Sequence, residues 1–118
     1  MKVRTRFCLK YNETLIFCVP GPLLPKAIGE GGRNVRKMNS ILGKRIKIVA
    51  SPQGIRDAEY FIRAIVNPVA FKDLEIRGDE FILSGGRNKA ILIGRNKRRL
   101  LEMQKIIRSF FGKEFRIV

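Results

Sequence analysis

The second half of this chain repeats the first, and that repeat limits its possible folds more than any other feature. Leu42-Gly43-Lys44-Arg45-Ile46-Lys47-Ile48-Val49 matches Phe111-Gly112-Lys113-Glu114-Phe115-Arg116-Ile117-Val118, and upstream Lys26-Ala27 and Ile28-Gly29 find counterparts in Lys89-Ala90 and Ile93-Gly94. The offset is 65 residues from Ile28 to Ile93 and 69 from Val49 to Val118. The helix between loop and strand is therefore longer by about one turn in the second copy. A chain of 118 residues then holds two small units built on one plan, 1–50 and 51–118.

Hydrophobic periodicity outlines the plan. Val3, Thr5, Phe7 and Leu9 alternate with Lys2, Arg4, Arg6, Cys8 and Lys10, the period of two of a strand with one buried and one wet face. Tyr11-Asn12-Glu13 offers turn residues, and the denser apolar run Thr14 to Val19 reads as a more central strand, broken by Pro20-Gly21-Pro22. A short helix from about Leu23 to Ile28 leads through a glycine loop into an amphipathic helix with Val35, Met38 and Leu42 on one stripe. Gly43 stops it, and Arg45 to Ala50 alternates as a third strand.

In the second unit Ser51-Pro52 is read as a helix start, with the stripe Ile55, Ala58, Phe61, Ile62 and Ile65 following and Asn67-Pro68 closing it. Two strands are expected at Val69 to Arg77 and Glu80 to Ser84 around Gly78-Asp79. After them come a basic segment, a long helix through Leu100, Leu101, Met103, Ile106, Ile107 and Phe110, and a last strand from Glu114 to Val118. Most of the eight Phe residues fall on the apolar phase of their elements and are expected in the core, not stacked on bases.

Charge narrows the function. Lys and Arg outnumber Asp and Glu by 25 to 10, a formal net charge of +15, so the favoured partner is a polyanion. No stretch approaches the ~18 apolar residues of a membrane span. The start Met1-Lys2-Val3-Arg4 has no apolar run or small-residue cleavage site, so a cytoplasmic protein without a membrane partner is expected. The chain has no His and no C-x-x-C pair; Cys8 and Cys18 lie on neighbouring strand-like segments and read as buried thiols. The usual zinc ligand sets, the nucleophile–His triads and the commonest general base are thereby missing. Asp57, Glu59, Asp73, Glu75, Asp79 and Glu80 could support catalysis only as a carboxylate metal site, and they fit element surfaces or turns better. We expect no enzyme, no cofactor and no small-molecule substrate.

The motif that carries function is Ile28-Gly29-Glu30-Gly31-Gly32, set between two helices. A sharp reversal there turns backbone N–H groups at the start of the second helix toward an anion, and missing side chains let a phosphodiester approach. The segment resembles the I-G-x-x-G loop of KH domains, which clamp about four nucleotides by their backbone. Competing glycine motifs fail: Gly43-Lys44 is followed by Arg45 and not by the Ser or Thr of a Walker loop, and the run from Gly29 lacks the last glycine of a dinucleotide fingerprint.

The segment Pro25-Lys26-Ala27-Ile28-Gly29-Glu30-Gly31-Gly32-Arg33-Asn34-Val35 resembles the KH loop of NusA transcription factors, and Phe61-Ile62-Arg63-Ala64-Ile65-Val66-Asn67-Pro68-Val69 resembles the helix and proline joining their two KH domains. The resemblance covers essentially the whole chain. It implies an α+β fold of two tandem type II KH domains, each a small three-stranded sheet with helices on one face. They would share an interface and present one extended surface to single-stranded RNA, in the short form typical of archaea. A role in transcription elongation or termination, with RNA polymerase or other transcription factors as candidate partners, follows from the resemblance alone. The alternative is a structural ribonucleoprotein or ribosome-associated KH protein.

The chain departs from the family pattern twice. The first unit begins at its hairpin without the helix expected upstream. The second reads Ile93-Gly94-Arg95-Asn96-Lys97, with Lys97 where the closing glycine belongs. A Cβ there is expected to restrict loop geometry, so the first loop is expected to be the more orthodox clamp. Candidate RNA contacts are Gly29, Gly31 and Gly32 through their backbone, Lys26, Arg33, Arg36 and Lys37 as phosphate neighbours, and Asn34 as base contact or helix cap. Glu30 sits in the same loop, and Ile28, Ile46 and Ile48 could form an apolar platform or simply core. In the second unit Gly94, Arg95, Asn96, Lys97, Arg98 and Arg99 crowd positive charge at a helix start, where the dipole disfavours cations, which suggests an external anion.

Overall fold

The computed structural model describes residues 8–118, so the expected strand positions Val3, Thr5 and Phe7 lie outside the described residues. The fold is α+β, with two three-stranded sheets. The chain divides into two compact units, Met1–Ser51 and Pro52–Val118. Ser51 joins the first because its amide donates to the Val19 carbonyl at 2.7 Å, which prolongs the strand pairing.

In unit 1, β1 (Cys8–Tyr11) and β2 (Thr14–Val19) form an antiparallel hairpin closed by Asn12 and Glu13, both at positive φ (50° and 61°). Positive φ at both central residues gives the turn whose twist matches that of the strands. A single 3₁₀ turn, Gly21–Leu23, precedes α1 (Leu24–Ile28), so the expected helix begins one residue later than its sequence suggests. The glycine loop follows, then α2 (Arg33–Leu42) and β3 (Arg45–Ala50). β2 is central, antiparallel to β1 and parallel to β3, with Leu15 opposite Ile46 and Phe17 opposite Ile48. The stripe of α2 is only partly covered: Val35 and Met38 are half-buried and Leu42 is exposed.

Unit 2 repeats this order behind an extra helix. It contains α3 (Ala58–Val66), β4 (Asp73–Arg77), β5 (Glu80–Ser84), α4 (Lys89–Ile93), α5 (Arg98–Phe111) and β6 (Glu114–Ile117), with β5 central and parallel to β6. α5 has 14 residues against 10 in α2, the extra turn read from the changed offset.

Three expectations are corrected in unit 2. Ser51-Pro52 does not open a helix: Ser51 is held by the sheet, the Gln53 amide donates to the Asp57 carboxylate at 2.9 Å, and a 3₁₀ turn, Ile55–Asp57, precedes α3. Ile55 is consequently exposed, while Ala58, Phe61, Ile62 and Ile65 are buried as the stripe predicts. The strand expected from Val69 starts at Asp73. The Val69 amide returns to the Val66 carbonyl at 2.9 Å, so residues 66–69 turn instead of extending.

Aromatic rings build the core of unit 2. Phe61 of α3 meets Phe110 and Phe111 of α5 at centroid distances of 4.9 and 6.2 Å, and Phe111 meets Phe81 of β5 at 5.3 Å. Phe71 is also buried, with the Arg63 guanidinium 4.2 Å above its ring. Thus α3 lies on α5, and α5 on the Phe81 face of the sheet. Among the described residues no helix is long and apolar enough to cross a membrane.

Phe61→Ala should cost about 3–5 kcal/mol by opening a cavity among these rings, read as a lowered urea midpoint. Cys18 is buried and Cys8 half-buried, both as free thiols, and burial, with a smaller contribution from Cys8, pushes the Cys18 thiol up to about 11 from 9.0. A raised thiol value means that the unfolded chain ionises first as pH rises. The stabilisation is complete below pH 9 and lost as pH climbs through about 11. Urea midpoints at pH 8 and pH 11 should converge for wild type and Cys18→Ala at the higher pH.

Candidate nucleic-acid interface

Each unit carries one helix–loop–helix, and the two loops have the same backbone path. Gly29 (φ 81°, ψ 164°) and Gly94 (78°, 168°) open them in a region that is essentially glycine-only. A Cβ on Gly29 would lie 3.0 Å from the Asn34 backbone nitrogen, and one on Gly94 would lie 2.9 Å from Arg99 Cγ. These two glycines are demanded by the turn itself, whatever binds there.

The next two positions correct the sequence expectation. Gly31 (φ 62°) and Gly32 (φ 77°) are left-handed, and Asn96 (φ 56°) and Lys97 (φ 59°) adopt the same conformation. Lys97 therefore does not alter the geometry; it bears the left-handed strain, about 1–2 kcal/mol for a residue with a Cβ. The Gly32 amide reaches the Gly29 carbonyl and the Lys97 amide the Gly94 carbonyl, each at 3.1 Å. At Gly31 a Cβ would meet nothing within 4 Å, and at Gly32 only the Arg36 guanidinium at 3.4 Å. Packing does not require glycine at either position, so the pair leaves the backbone before α2 uncovered.

Both long helices start without a side-chain cap: Gly32 cannot provide one and Lys97 does not. An uncapped helix start with positive partial charge is a place for an anion. The sequence candidates around the first loop divide by role. Asn34 Nδ2 donates to the Lys26 carbonyl at 3.1 Å, so it ties α2 to α1 and acts as a brace. Arg36 donates to the Gly31 carbonyl. Arg33 lies 3.7 Å from Glu30, both well exposed, a pairing of little energetic weight. Lys26 and Lys37 are exposed. Ile28 and Ile48 are half-buried and open to a ligand, whereas Ile46, 7% exposed, sits in the core.

Around the second loop Arg95, Asn96, Lys97 and Arg98 are exposed, and Arg99, at the position of Asn34, is half-buried along Gly94. Arg95 stands where the first loop has Glu30, so this rim is the more positive of the two. Sequence reasoning missed this parity, because the left-handed tolerance of Asn96 and Lys97 shows only in the backbone angles.

The carboxylates considered for catalysis are held on surfaces. Glu59 pairs with Arg63 at 3.1 Å, Asp79 with Lys113 at 3.3 Å and Glu80 with Arg116 at 3.0 Å, and Glu75 pairs with Arg77. Among the described residues no three His, Cys, Asp or Glu gather as a metal site. Half-buried Lys47 of β3 has its ammonium pulled below the ordinary lysine range by desolvation.

No protein-family model and no curated protein matches the chain. Among solved structures it is similar to one described as "Crystal structure of APE1850", with a TM-score of 0.63 and 24% identity over 94% of this chain and 83% of that chain. At that identity the likeness shows a shared fold.

Gly29→Ala should destabilise by about 1–3 kcal/mol, since only glycine adopts its angles without strain. Lys97→Gly should stabilise by about 0.5–1 kcal/mol, the relieved strain less the extra entropy glycine loses on folding. Urea denaturation of the two variants, run in parallel, checks both signs.

Proposed function

We propose that the chain binds single-stranded RNA through its two helix–loop–helix elements, as a tandem KH protein of the archaeal NusA-like type, acting in transcription elongation or termination. The observation that carries this reading is the pair of uncapped helix starts behind loops of identical backbone path. Each is rimmed by Lys and Arg, and the first is stripped of side chains at Gly31 and Gly32 where packing does not ask for glycine. A phosphodiester backbone matches such a site in charge and shape. The loop amides and helix start face the phosphates, Lys26, Arg33 and Lys37 supply the field at the first loop, and Arg95, Lys97 and Arg98 supply it at the second. Ile28 and Ile48 offer the apolar surface for a base. Single strands are favoured over duplex because the clamp follows one flexible backbone and needs its bases turned away from pairing. The β–β–α–loop–α–β order of both units and the I-G-x-x-G spacing support the KH assignment, and the NusA-like part rests on the sequence resemblance.

The test is fluorescence anisotropy with a pool of short single-stranded RNAs and matched duplexes across a salt series. Single strands should bind more tightly, with a log–log salt slope of about −0.7 per phosphate neutralised. The double variant Gly31→Asp, Gly32→Asp should lose at least tenfold in affinity while keeping its circular dichroism spectrum. Equal binding to both nucleic acids, unchanged in that variant, would mean that charge alone drives association and the reading fails.

A further inference from the structure

The repeat allows each unit to be compared with the other, position by position, and one difference stands out. Phe110 and Phe111 at the end of α5 correspond to Ile41 and Leu42 at the end of α2, by the same offset that aligns the strands after them. Phe81 and Leu83 of β5, opposite Phe115 and Ile117, correspond to Leu15 and Phe17 of β2, opposite Ile46 and Ile48. In unit 2 this set is covered: Phe81 is 0% and Leu83 1% exposed, and Phe110 and Phe111 are half-buried against Phe61. In unit 1 the helix end of this set is open. Ile41 is 72% and Leu42 48% exposed, and Leu15 and Phe17 are only half-buried.

The physical difference is α3. Its Phe61 packs on Phe110 and Phe111 at the end of α5, and among the described residues of unit 1 no helix precedes β1. Apolar side chains held in water at the site where the sister unit seats an amphipathic helix form a vacant helix-binding face. Charge specifies the occupant further. Residues 33–50 contain Arg33, Arg36, Lys37, Lys44, Arg45 and Lys47 and no Asp or Glu. Lys37 lies one turn before Ile41, and a groove of about 490 Å³ beside Gly43 is lined by Lys10, Lys44 and Arg45, with Glu13 as its one carboxylate. A helix settling there must bring an apolar stripe and negative flanks.

We infer that the Ile41–Leu42 end of α2 is a docking site for an acidic amphipathic helix of a partner protein, which takes on unit 1 the place that α3 takes on unit 2. The contact is separate from the glycine loop, because Ile41 and Leu42 lie at the opposite end of α2 from Gly31 and Gly32. A docked helix would therefore leave the glycine loop itself free.

The experiment uses the full chain and a synthetic peptide with the sequence of residues 54–67 in which Arg56 and Arg63 are replaced by Glu, so that it carries the α3 stripe on an acidic background. Binding is followed by calorimetry and by backbone amide shifts. We expect saturable binding, with the largest shifts around Ile41 and Leu42. Ile41→Glu, at a position too exposed to unfold the unit, should weaken it at least tenfold while leaving the thermal midpoint and RNA affinity as in wild type. No saturable binding, or equal binding by Ile41→Glu, would overturn the inference. So would equal binding of a scrambled peptide of the same composition, which would reduce the contact to charge. A concentration-dependent dimer abolished by Ile41→Glu would assign the face to a second copy of this chain and also overturn it.

Discussion

Parallel pairing of the central strand with the last strand of each unit is the constraint from which the other features follow. β2 runs parallel to β3 and β5 to β6, and parallel neighbours cannot be joined by a tight turn. The chain must cross from one end of the sheet to the other, and here it does so as a short helix, a reversal and a longer helix. The reversal has to occur within a few residues if the long helix is to deliver the chain back to the sheet. That demand is met by Gly29 and Gly94 in an extended positive-φ conformation and, after one intervening residue, by two left-handed residues. A topological necessity thereby produces two exposed helix starts, the first with bare backbone in front of it.

The two loops reach one geometry with different side chains, and this separates what the fold needs from what it merely permits. The first glycine is needed, since a Cβ would enter the brace residue behind it, Asn34 in one unit and Arg99 in the other. The next two positions need left-handed angles but not glycine, as Asn96 and Lys97 demonstrate. Unit 1 invests in bare backbone and unit 2 in positive charge. Both suit a polyanion, the first by close approach and the second by field strength.

The same duplication distributes the core unevenly. Unit 2 has α3 and a cluster of phenylalanines in tilted contact, while unit 1 leaves the end of α2 in water. The smaller Ile41 and Leu42 in place of Phe110 and Phe111 fit that difference, because a pair of exposed Phe side chains would present more apolar surface to solvent.

Much of this was legible in the sequence. The strands Thr14–Val19, Arg45–Ala50 and Glu80–Ser84, the longer second helix and the glycine-marked helix ends follow from periodicity and turn chemistry, which act within a few residues of each other. The loop motif was visible because a positive φ without a side chain can be read from glycine alone. Other features depended on partners distant in sequence: Ser51 is drawn into the sheet by Val19, so the helix expected there cannot start. The turn after Val66 shortens β4. The equality of the two loops was hidden because Lys, unlike the tolerant Asn before it, gives no sign in sequence that it is held left-handed. Composition and local pattern determined that this chain makes two basic units with one loop each. Tertiary packing alone decided which apolar residues are covered, because burial depends on whether another element arrives to cover them, as Phe61 of α3 does at the end of α5.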